Sequence, residues 1–164
     1  MPESIRINFV TGAPRRYVAH VEALATVPGR LEAAIGGQTP AWMRTPVGGG
    51  LSPARTTGAM IEHARQTREN LVRMAWMTDP MLVPPPEGVP DEVHSWEARD
   101  SSRLLAWFAE SVAEMVELLK DLPDSSWGRP GQTPIHGRRS IRQTVRDAAA
   151  YYEAEVARLE AGRE

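Results

Sequence analysis

Proline and glycine divide this 164-residue chain into four stretches whose apolar residues recur at helical spacing, joined by three long connections. The first stretch, from about Pro14 to Ile35, carries Tyr17, Val18, Val21, Leu24, Leu31, Ala34 and Ile35 at three- and four-residue steps. Pro28 lies inside it and should kink or divide the helix, with Thr26 placed to cap the second half. A second helix is expected to open at Ser52-Pro53, where a hydroxyl caps free amides and proline takes the first helical position, and to end near Met77. The third, from about Ala98 to Leu122, turns Leu104, Leu105, Phe108, Val112, Met115 and Leu119 inward and stops at Pro123. The fourth opens on Ser140-Ile-Arg-Gln143, the spacing of a capping box, and runs to about Glu160 on a stripe of Ile141, Val145, Ala148, Tyr152, Val156 and Leu159.

Four amphipathic helices with no expected strands specify an all-α four-helix bundle, and the length suits one domain spanning 1–164. With 41% apolar residues the chain can build a core without metal or disulfide staples. The connections are long for a bundle, where helix–helix links commonly run to about 8 residues. A link of that length can cross the bundle end to end, so simple up-down-up-down order is not forced. The segment DPMLVPPPEGVPD (79–91) is expected to be stiff and extended, because each proline fixes φ and disfavours helix in the residue before it.

A formal net charge of −2, with the basic residues spread along the chain, gives no electrostatic footprint for nucleic acid or an anionic membrane. The absence of cysteine removes disulfides, thiolate nucleophiles and thiolate metal sites together, so a metal would need His, Asp or Glu. No run approaches the roughly 18 apolar residues of a membrane span, and MPESIRINFVTG lacks the order of a signal peptide. A cytoplasmic location is expected. Gly48-Gly49-Gly50 has neither the preceding strand nor the following lysine of a phosphate-binding loop and reads as a turn.

The segments PGRLEAAIGGQTPAWMRTPVGGGLSPARTTGAMIEHARQ (28–66) and RRSIRQTVRDAAAYYEAEVARLE (138–160) resemble the DinB-like superfamily of metalloenzyme-like bundles. The resemblance lies in a helix, a proline-containing link and a Ser-Pro helix entry, followed later by a final helix that in the family carries His-x-x-x-His. It implies an up-down-down-up bundle with a long crossover between helices two and three, and homodimerisation. It also implies a divalent metal, Zn, Ni or Fe, held by one histidine from the second helix and two from the last.

Transferred to this chain, those three ligand positions fall on Ala59, Tyr151 and Glu155, with His63 one turn further along the second helix. The pocket candidates are therefore Ala59, Glu62, His63, Asp147, Tyr151 and Glu155, and no metal or other cofactor is expected in the family's manner. A rebuilt set of His63, Asp147 and Glu155 remains as an alternative, since Asp147, Tyr151 and Glu155 share one helical face. Otherwise a solvated pocket is expected, with His63 paired to a carboxylate. Two functions follow: a small-molecule-binding or stress-associated protein with a degenerate metal site, or a metal-dependent transferase, isomerase or hydrolase acting through the rebuilt set. A scaffold using bundle surface and tryptophans is a third class.

Among other residues, Arg138, Arg139, Arg142 and Arg146 offer an anion-binding face at the start of the last helix, or a solvated basic face paired with acidic neighbours. His20, His94 and His136 show no ligand spacing. Trp42, Trp76, Trp96, Trp107 and Trp127 are many for this length, and those in the connections are expected to anchor the loops.

Overall fold

The computed structural model describes residues 15–86 and 95–163. His94 and residues 87–91 of the proline-rich stretch lie outside the described residues, as does the N-terminal segment 1–14. Helix α1 spans Val18–Ile35, preceded by a 3₁₀ turn at Arg15–Tyr17. It runs through Pro28 without a break, which corrects the expected division. The bond lost with the proline amide is offset by packing, because Leu24, Val27 and Leu31 on either side are buried. Thr26 consequently caps nothing, and its hydroxyl donates to the Ala23 carbonyl within the helix.

A one-turn helix α2, Pro40–Met43, leads to α3 at Pro53–Trp76. Ser52 caps α3 as expected, accepting from the Arg55 amide at 3.3 Å. Helix α4, Ser101–Lys120, begins three residues later than the spacing suggested, because the Asp100 carboxylate caps the Arg103 amide. Helix α5, Ile141–Ala161, carries the full capping box between Ser140 and Gln143. Between α4 and α5 lies a short antiparallel hairpin, β1 (Pro130–Thr133) and β2 (Gly137–Ser140), in a stretch read only as a connection.

Side-chain contacts define the directions. Thr56 and His63 of α3 meet Arg158 and Tyr152 of α5 respectively, so these helices run antiparallel. At its other end α1 places Arg30 against Glu160 and Tyr17 against Trp127, which puts α1 parallel to α5. Ser52 bonds Glu97 just before α4, and Arg68 pairs with Glu114, so α3 and α4 are parallel. The order is thus up-down-down-up, with α1 and α3 each packed against both α4 and α5. Parallel α3 and α4 require residues 77–100 to return the length of a helix, about 30 Å at about 1.5 Å per residue. Asn70 holds the start of this crossover by donating to Val83 O at 2.7 Å and accepting from its amide at 3.1 Å.

The core forms between the four apolar faces and extends to the connections. Trp96 and Trp127 anchor their loops in it, while Trp76 at the end of α3 is 78% exposed. Gly58 lets the crossover approach: a Cβ there would lie 2.3 Å from the Trp96 ring.

Candidate functional site

The antiparallel pairing of α3 with α5 brings Thr56 and Ala59 opposite Tyr151, Glu155 and Arg158. Together with Gly50 and Leu51 of the preceding loop, they line a cavity of about 200 Å³. Tyr151, Glu155 and Arg158 succeed one another at steps of four and three along α5, the spacing that puts side chains on one face.

Arg158 spans the cavity wall. Its Nη2 donates to Thr56 Oγ1 at 2.6 Å and to Glu155 Oε2 at 2.7 Å, and its Nη1 to Leu51 O at 3.2 Å and to Val47 O. The Tyr151 hydroxyl is pushed up to about 12 by burial and by the Glu155 carboxylate, with Arg158 acting against the shift, so the phenol stays protonated.

His63 lies behind this wall. Its ring stacks on Tyr151, centroids 4.6 Å apart, and meets the Tyr152 ring edge-on at 5.2 Å. Its Nδ1 shares a 2.8 Å hydrogen bond with the Tyr152 hydroxyl, and Thr67 Oγ1 stands 3.3 Å away. Burial lowers the imidazole to about 4, so it is neutral at pH 7, and burial likewise raises the Tyr152 hydroxyl. The expected carboxylate partner is therefore replaced by a phenol, because the apolar surroundings of this imidazole disfavour an ion pair.

Of the six candidate residues, the cavity gathers Ala59, Tyr151 and Glu155, with His63 stacked behind Tyr151. Asp147 points elsewhere: its half-exposed carboxylate stands 3.9 Å from Arg139. Glu62 pairs with Arg65 at 3.1 Å along α3. The set His63, Asp147 and Glu155 is not assembled, and among the described residues no three His, Cys, Asp or Glu side chains come together as a metal-holding group. In the basic cluster, Arg138 pairs with Asp79 at 3.4 Å, so two of its four arginines face acidic neighbours. Sequence reasoning missed Arg158 and Thr56. The helical spacing of Arg158 to Glu155 and Tyr151 is the signal that marks it, although arginine is no metal ligand and so falls outside a pattern of ligand residues.

The sequence model of the DinB superfamily matches residues 23–158. The chain belongs to the DinB superfamily. Among solved structures it is similar to YfiT from Bacillus subtilis, described as "a probable metal-dependent hydrolase with an unusual four-helix bundle topology". The two share 17% sequence identity at a TM-score of 0.76, over 87% of this chain and 83% of YfiT, a likeness of fold. Comparison with curated proteins gives no match.

The side chains at Ala59, Tyr151 and Glu155, where the resemblance places the three ligands, do not fit a divalent metal. Ala59 has no donor atom, the Tyr151 phenol is held protonated, and Glu155 is bonded to Arg158.

Proposed function

We propose that this DinB superfamily protein has a degenerate metal site and uses the α3–α5 cavity to bind a small polar organic molecule without a metal. The observation carrying this reading is that Ala59, Tyr151 and Glu155 all line one cavity, yet supply a methyl group, a neutral phenol and an already paired carboxylate. At about 200 Å³ the cavity is smaller than the roughly 300–1,000 Å³ of usual ligand sites, which limits the ligand's size. The Glu155 and Arg158 charges cancel, favouring a neutral molecule that accepts from the Tyr151 hydroxyl and donates to the Glu155 carboxylate. The metal-dependent hydrolase description of YfiT calls for donors that these positions lack.

Protein purified without an affinity tag and analysed for Zn, Ni and Fe is expected to carry them only far below one equivalent per chain. Neutral polar compounds that raise its melting temperature should lose that effect in Ala59→Phe, where the ring fills the cavity. Stoichiometric metal in the wild-type protein overturns the reading. A homodimer is part of the proposal: exposed Trp76, Met77 and Met81 around the end of α3 supply apolar area for an interface, and sedimentation equilibrium tests it. So is a cytoplasmic location, with which the lack of a membrane-spanning helix among the described residues agrees.

A further inference from the structure

Arg158 is embedded more deeply than a surface arginine. Its side chain is 19% exposed, and its four terminal N–H bonds go to acceptors from three segments: Val47 and Leu51 of the loop, Thr56 of α3 and Glu155 of α5. The loop is shaped to receive it. Gly48 adopts φ +59° and a Cβ there would lie 2.7 Å from Arg158 Cγ, while one on Gly50 would lie 2.8 Å from Arg158 Cζ. A side chain at either glycine would meet the arginine, so the turn closes over the guanidinium because its residues have no Cβ.

We infer that Arg158 is the resident cation of this site: its guanidinium neutralises Glu155 in the space to which the superfamily layout directs a divalent metal, and so keeps such a metal out. The inference rests on the metal-free reading of the cavity and adds the residue responsible. Glu155 is the sole charged donor among the three positions, and its carboxylate is held 2.7 Å from a positive charge. A divalent ion reaching it would meet a neutralised ligand and a like charge a few ångströms away. Arginine cannot relieve that repulsion by losing a proton, as lysine or histidine could. Moving the guanidinium aside would break its bonds to all three segments at once.

Zinc itself is the probe. The double variant Ala59→His, Tyr151→His restores imidazoles beside Glu155, and the triple variant adds Arg158→Met, which keeps the aliphatic stem against the glycines and removes the charge. Titration calorimetry on folded, tag-free proteins should show the triple variant binding zinc at least tenfold more tightly than the double. Equal affinities overturn the inference while leaving wild-type metal content, and with it the proposed function, untouched. Failure of both variants to bind zinc overturns it as well, because the three positions would then not converge on a cation. Stoichiometric metal on the wild-type protein overturns both readings. If Arg158→Met loses its cooperative melting transition, Arg158→Gln in the same double background serves instead. It removes the charge while keeping hydrogen-bond donors, and should also bind zinc at least tenfold more tightly than the double variant; equal affinity refutes the electrostatic exclusion.

Discussion

The Nδ1 of His63 and the hydroxyl of Tyr152 stand 2.8 Å apart at the centre of the α3–α5 interface, joining the two helices that frame the cavity. The bond is part-buried, and the burial of the imidazole sets its pH dependence. In the unfolded chain the imidazole returns to its ordinary 6.5, whereas in the folded protein it is lowered to about 4. Between these values the unfolded state binds a proton that the folded state refuses, so stability is full above about pH 6.5 and declines as the pH falls towards 4. The loss from this group is at most about 3 kcal/mol. Urea midpoints of the wild type should therefore drop more between pH 7.5 and 4.5 than those of His63→Phe. Parallel drops in the two proteins would refute the assignment.

Gly58→Ala separates propensity from packing. Alanine in an exposed helix interior gains about 1 kcal/mol over glycine. Here the new Cβ would lie 2.3 Å from Trp96 Cδ2, inside a buried contact between α3 and the crossover. A net destabilisation of about 2 kcal/mol is expected, with a changed near-ultraviolet circular dichroism spectrum as the indole moves. A stabilised variant would show that the crossover is not packed as described.

Gly48→Ala tests the turn over Arg158. The residue sits at φ +59° and its Cβ would press on the arginine stem, so a loss of about 1–2 kcal/mol is expected. The Gly50 amide, which donates to Val47 O at 3.1 Å, should exchange with deuterium faster in the variant. Unchanged exchange would mean that the loop does not depend on the glycine.

The capping box of α5 should behave as a coupled pair. Ser140 accepts from the Gln143 amide at 3.1 Å, and the Gln143 side chain accepts from the Ser140 amide at 3.0 Å. Ser140→Ala and Gln143→Ala are each expected to cost about 1 kcal/mol in chemical denaturation, and the double variant less than their sum. Strict additivity would show that the two bonds act independently.

The sequence by itself determined the four helices and most of their ends, because caps at Ser52 and Ser140 and the inward stripes of α3, α4 and α5 are local signals. It also carried the family resemblance, and with it the positions 59, 151 and 155 that the cavity brings together. Pro28 does not divide its helix, because the local rule against proline is outweighed by the burial of Leu24, Val27 and Leu31, which depends on the neighbouring helices. The β1–β2 hairpin was missed because it is short, with Gln132 drawing part of its pairing from Pro80 and Leu82 far away in sequence. What only the tertiary structure decided is the partner of each polar group at the site. Spacing alone allowed His63 and Asp147 to join Glu155, but burial gave His63 to Tyr152, the start of α5 gave Asp147 to Arg139, and the antiparallel approach of α3 gave Glu155 and Thr56 to Arg158. Partners across a bundle are set by helix direction and rotation, which arise from packing all four apolar faces together and leave no mark within a single helix's sequence.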